Sequence, residues 1–279
     1  MSIQLKKIVT LLMVMAVGLS LVACGGGDDK KKTNKTSSKK SSSSKSKKKS
    51  KSSNAMGPAN GTLDLKNTGS ISGTVKFAGS APAAKMLDNS KDKWCAEQGN
   101  VADETLVVGS NGGLRDVFVF VEGLDAHSDD FPLPTAAAKI TQKNCQYVPH
   151  VIGVRVGQDV AVTNADDTSH NYHFLGRAND EINKTQPKPA TDIEVFEAAE
   201  FSASMSCDIH PWMNAVVHIM DHPCFTVSAK DGSFKINGVP PGKYKVRFLH
   251  SGAKASKDGI NVTVSAKGSA SIGEISFSK

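Results

Sequence analysis

In the stretch "DVFVFVEG", Val117, Val119 and Val121 fall on one side of an extended chain and Phe118 and Phe120 on the other. Both faces are apolar, which predicts an inner strand covered on both sides. "GVRVGQDVAVTN" alternates differently. Val154 and Val156, then Val160 and Val162, flank a turn at Gly157, and the run ends in the polar loop Asn164 to His170. "SISGTVKFAG", "NAVVHIMD", "KYKVRFLH" and "INVTVSAKG" are also rich in β-branched and aromatic residues and bounded by Gly, Asn or Asp. No helical periodicity lasts beyond about two turns. The pattern predicts an all-β protein built from sandwiches. Residues 175–193, with Gly, Asn, Pro and charge, read as a long surface excursion.

The first 54 residues follow a different logic. Lys6 and Lys7 precede an apolar run from Ile8 to Val22, too short to span a bilayer comfortably. Gly25 to Asn54 has eleven lysines, two aspartates and no core-forming residue, so it is expected to be disordered. The whole chain carries +7, of which this stretch holds +9 and the first 24 residues +2, leaving −4 for the remainder. The basic character therefore belongs to the leader and tether. Lysines interleaved with serines, without aromatics, argue against nucleic-acid binding and for a solvated spacer that leans on anionic envelope surfaces.

Leu21-Val22-Ala23-Cys24 resembles the lipobox of bacterial lipoproteins, which implies cleavage before Cys24 and its lipidation. The expected location is the bacterial cell envelope, lipid-anchored and facing the periplasm or the cell surface. Export permits disulfides. Of the remaining cysteines, Cys95 and Cys145 flank a strand-rich stretch and are expected to pair, whereas Cys224 in "HPCFTVSA" reads as a buried free thiol.

Cys207 belongs to "SMSCDIHPWM". Cys207, His210 and Met213 fit C-x2-H-x2-M on a short loop between strands, and "SHNYHF" upstream supplies His170 at a strand end. A thiolate and two imidazoles with a weak thioether are the donor set of a blue-copper electron-transfer site; zinc rarely recruits methionine. Taken singly, each residue has a structural reading as a core or capping side chain, and the combination favours one copper. His150 stands before a strand. His218, His222 and His250 read as surface or strand residues, and Arg155, Asp166 and Asp167 as solvated charges.

"CDIHPWM" with "HNYHF" resembles the cupredoxins, most closely the amicyanin type with its short C-x2-H-P-x-M loop. That resemblance implies a Greek-key sandwich with His170, Cys207, His210 and Met213 as copper ligands. It implies that Asn171 ties the two ligand loops together, that Pro211 follows the loop histidine, and that His173 is not a ligand. Met205, Trp212 and Ala215 depart from the family pattern of an aromatic, Phe and Gly. One loop cysteine argues against a two-copper centre. "SISGTVKFAGSAP" and "DGSFKINGVPPGKYKVRFLH" resemble the carboxypeptidase regulatory-like family, a small transthyretin-like β-sandwich in which Tyr244 would be a packing residue.

The organisation expected is a signal over 1–24, a tether over 25–69, a cupredoxin-like domain over 70–225, and a regulatory-like segment over 226–279 that strand 70–77 would complete. The function expected is single-electron shuttling between transient redox protein partners, with membrane attachment through Cys24 and with His210, at the apolar loop tip with Pro211 and Trp212, as the electron port. The alternatives are copper handling at the cell surface and a structural or ligand-binding lipoprotein with a degenerate site. No H-E-x-x-H motif and no second histidine set point to an enzyme.

Overall fold

The computed structural model describes residues 56–58 and 61–279. The expected signal with Cys24, and residues 25–55 and 59–60 of the expected tether, lie outside the described residues. Among the described residues no helix is long and apolar enough to cross a membrane.

Strands dominate, arranged as two sandwiches. In the first, one sheet runs in the order Gly57–Pro58, Gly242–Leu249, Phe118–Glu122, Phe225–Val227, with Ile260–Val264 also on Gly242–Leu249. The facing sheet runs Ser233–Val239, Gly69–Phe77, Ser269–Ser278, Lys254–Ala255. Strand Gly242–Leu249 alternates strictly: Tyr244, Val246 and Phe248 enter the core while Lys243, Lys245 and Arg247 stay at the outer face. This is the period-two signature of a strand with one covered face.

The second sandwich sets the sheet Ile182–Gln186, His170–Leu175, Glu200–Ser206, Asn214–Met220, Val151–Arg155 against Ala190–Val195, Asp159–Asn164, Ala138–Lys143, Gln146–Val148. Its core holds Val154, Val160, Val162, Tyr172, Phe174 and Met205. The 175–193 excursion is therefore partly regular, since Ile182–Gln186 pairs with His170–Leu175 and Ala190–Val195 with Asp159–Asn164.

Residues 118–122 correct the sequence-based boundaries. Their strand pairs with Gly242–Leu249 and Phe225–Val227, so it belongs to the first sandwich rather than to a domain spanning 70–225. It is an inner strand with two different neighbours. Val117, Val119 and Val121 enter the first core, whereas Phe118 and Phe120 form a junction with Val151 and Met220. Fully burying each such side chain contributes about 1.5–3 kcal/mol, so both faces hold the strand. Strand Gly69–Phe77 pairs with Ser233–Val239 on one side and Ser269–Ser278 on the other, both from the C-terminal segment. The chain thus enters the first sandwich, leaves to build the second, and returns.

Two glycines are required by this path. Gly157 has φ +75° in the turn before Asp159–Asn164. At Gly153 an added Cβ would lie 2.6 Å from both Phe118 Cε2 and Phe225 Cε2, so the junction closes only without a side chain there.

Candidate metal centre

The loop 207–213 is the turn of a hairpin. Glu200–Ser206 and Asn214–Met220 run antiparallel and end at the pair Ser206 and Asn214. Cys207 N–H donates to the Met213 carbonyl at 3.2 Å and Met213 N–H to the His210 carbonyl at 2.8 Å, which folds Cys207, His210 and Met213 into one tight bend. His170 begins the neighbouring strand. The polar loop before it is fastened from within: Asn164 Nδ2 donates to the Thr168 carbonyl at 2.9 Å, and Asp166 N–H donates to Asn164 Oδ1 at 2.9 Å.

His170, Cys207 and His210 meet in a buried cluster whose ligand atoms all lie within 4.8 Å of one another. The Nδ1 atoms of His170 and His210 are 2.9 Å apart, and Cys207 Sγ is 3.8 Å from His210 Nδ1. Donors this close would lie within reach of a single metal ion held by His170, Cys207 and His210. Met213 is 1% exposed in the same core, adding a thioether to the loop. Without a metal, the imidazole pair reads as an N–H···N bond. The donor set suits a soft or borderline metal, and its mixture of thiolate, imidazole and thioether is that of copper sites.

The electrostatics favour a thiolate. Burial opposes the charge on Cys207, but hydrogen bonds with His170 and His210 outweigh it and bring its pKa down to about 6. Burial likewise opposes charge on both imidazoles. Bonds to Asp166 and Cys207 for His170, and to Cys207 and Asp92 for His210, raise them nonetheless.

Asn171 connects the two ligand-bearing segments. Its Oδ1 accepts the Asp208 N–H at 2.6 Å and its Nδ2 donates to Asn183 and Asp208. Pro211 is exposed at the loop tip. His173 stands outside the ligand cluster, between Asp208 and Glu181. His150 is buried beside the loop, with Nδ1 3.1 Å from the Asn214 carbonyl, and is likewise outside it. Cys95 and Cys145 form a disulfide, and Cys224 is a buried free thiol whose pKa burial pushes up to about 12.

Several expectations are overturned. His210, expected at the loop tip, is covered and 1% exposed. The helix Lys93–Glu97 and the residue before it cover it, with Asp92 Oδ2 3.1 Å and Cys95 Sγ 3.7 Å from His210 Nε2. Asp166 is not a solvated charge but is buried, accepting from Asn144 N–H, Cys145 N–H and His170 Nε2. Arg155 and His222 are buried too, whereas His218, expected on the surface or in a strand, lies buried in strand Asn214–Met220. Asp166 had a faint signal in its position four residues before His170, whereas Asp92 lies 118 residues from His210 and had none.

No protein-family model matches this chain, and no curated protein matches it. Solved structures match in part. A Cu-containing nitrite reductase from Thermus scotoductus SA-01 is 14% identical with a TM-score of 0.29, over 33% of this chain and 26% of that one. A purple cupredoxin from Nitrosopumilus maritimus is 23% identical with a TM-score of 0.26, over 29% and 98%. An oxidised amicyanin mutant is 16% identical with a TM-score of 0.28, over 42% and 92%. The chain spans about a quarter of the nitrite reductase it matches. Resemblances this partial leave the metal chemistry to rest on the side chains themselves.

Proposed function

We propose that this protein is an envelope-anchored type 1 copper protein that passes single electrons between redox partners. The observation that carries the reading is the convergence of His170 Nδ1, His210 Nδ1 and the Cys207 thiol within one buried pocket, beside buried Met213. Copper held there would supply a one-electron couple, with thiolate favouring Cu(I) and imidazole suiting both states. The chain's own contribution is rigidity. The loop's internal bonds and Asn171 fix the donors on a sandwich, which keeps their rearrangement between oxidation states small.

Because His210 is covered, the route to solvent runs past its neighbour. Trp212 is partly exposed, its ring centroid lies 4.9 Å from that of His210, and its Nε1–H donates to the Cys145 carbonyl at 3.1 Å. A partner docking on the Pro211–Trp212 edge would reach the metal through this pair. The −4 charge of residues 55–279 suits a basic patch on that partner. A copper-delivery role requires ligand exchange, which fully buried donors oppose.

Protein-film voltammetry of the copper-loaded full-length protein tests the reading. A reversible one-electron wave that is absent from Cys207→Ser supports electron transfer. Copper that binds but does not cycle would favour storage.

A further inference from the structure

Both histidines of the cluster use one ring nitrogen toward the other donors and the other toward a carboxylate. His170 donates Nε2–H to Asp166 Oδ2 at 2.9 Å while its Nδ1 faces His210. His210 donates Nε2–H to Asp92 Oδ2 at 3.1 Å while its Nδ1 faces His170 and Cys207. Each carboxylate is itself anchored. Asp166 accepts Asn144 N–H at 2.7 Å and Cys145 N–H at 2.8 Å. Asp92 caps the helix Lys93–Glu97, its Oδ1 accepting Cys95 N–H at 2.9 Å. The Cys95–Cys145 disulfide joins the residues that these two carboxylates grip through the backbone. The two acids and the disulfide thus form one brace around the site.

We propose that Asp92 and Asp166 are positioning residues for the copper site, holding the two imidazoles in the Nε2–H tautomer so that both Nδ1 lone pairs face the metal, and that the disulfide keeps the two braces in register. The inference rests on the copper reading above. A carboxylate behind an imidazole fixes ring orientation and tautomer and makes the ring a stronger donor. Stronger donation and nearby negative charge favour Cu(II) over Cu(I), so the brace lowers the reduction potential. Asparagine in place of either acid presents an N–H toward Nε2 as readily as an oxygen and removes the charge. It also preserves much of the scaffold, since Asn caps a helix about as well as Asp.

The test compares full-length wild type, Asp92→Asn and Asp166→Asn by Cu(II) and Cu(I) affinity and by reduction potential. Loss of such a partner typically weakens metal binding by about 10–100-fold. The expected loss is larger for Cu(II) than for Cu(I); a tenfold difference raises a one-electron potential by about 59 mV. A purely structural role would weaken both states alike and leave the potential unmoved, and that result overturns the proposal, as do variants indistinguishable from wild type. A wild type without a thiolate-to-copper band overturns the copper reading and this inference together, so the two fail at different steps.

Discussion

Asn171 Oδ1 accepts the Asp208 amide at 2.6 Å, joining the strand that starts at His170 to the loop that holds Cys207, His210 and Met213. The second amide of that loop, Ile209 N–H, approaches the same oxygen at 3.4 Å. Asn171 is 3% exposed, whereas Asp208 and Ile209 are exposed, so water can take up part of what the loop amides lose with it. Asn171→Ala is therefore expected to cost about 0.5–1.5 kcal/mol, read from the denaturant midpoint at constant slope. An unchanged midpoint would mean that the loop holds itself.

The disulfide is a second fastening. It closes a separation of 50 residues between the covering helix and the strand connection near Asp166. Replacing both Cys95 and Cys145 by Ser is expected to cost about 2–4 kcal/mol. In the copper-loaded protein the same change should speed electron exchange with a small hydrophilic oxidant such as ferricyanide, because the cover over His210 loosens. Equal rates with and without the disulfide would show that the cover closes unaided.

Gly153 marks where the two sandwiches meet. Gly153→Val would drive a side chain into Phe118 and Phe225, and overpacking of this kind costs about 1–3 kcal/mol. A variant as stable as wild type by thermal unfolding would contradict the close junction.

The junction also sets a pH response. The His218 ring stacks on Phe118 with centroids 4.1 Å apart, and burial lowers its pKa from 6.5 to about 3. Burial likewise lowers His222 and His250 to about 4. Below pH 6.5 the unfolded chain takes up protons that the folded chain refuses. The stability that these three histidines contribute is therefore full above that pH and falls as pH drops, by up to about 1.4 kcal/mol per unit for each until its folded pKa is reached, against the opposite trend of His170 and His210. Denaturation at pH 7.5, 5.5 and 4.5 should show this slope, and His218→Phe should flatten it. An identical slope in the variant would place the proton uptake elsewhere.

The residues differ in how much of this they announced. The strands were legible because Tyr244, Val246 and Phe248 alternate with charges, and the ligand loop because Cys207, His210 and Met213 are unusual donors only three residues apart. Strand Phe118–Glu122 was legible as an inner strand but not as a member of the first sandwich. A strand apolar on both faces fits either core, and its partners lie more than a hundred residues away. Asp166 looked like a solvated charge because a carboxylate is normally exposed, and only the fold reveals its three donors. The covering of His210 by Asp92 and Cys95 joins segments distant in the chain, which neither spacing nor periodicity encodes.

The central claim is that Cys207 binds copper as a thiolate alongside two imidazoles. A Cu(II) titration of the full-length protein, followed by visible absorption and EPR beside Cys207→Ser, tests it most directly. The account predicts an intense thiolate-to-copper band that saturates at one equivalent, with narrow copper hyperfine splitting, and loss of both in the variant. A colourless protein, or a band that survives in Cys207→Ser, would contradict it.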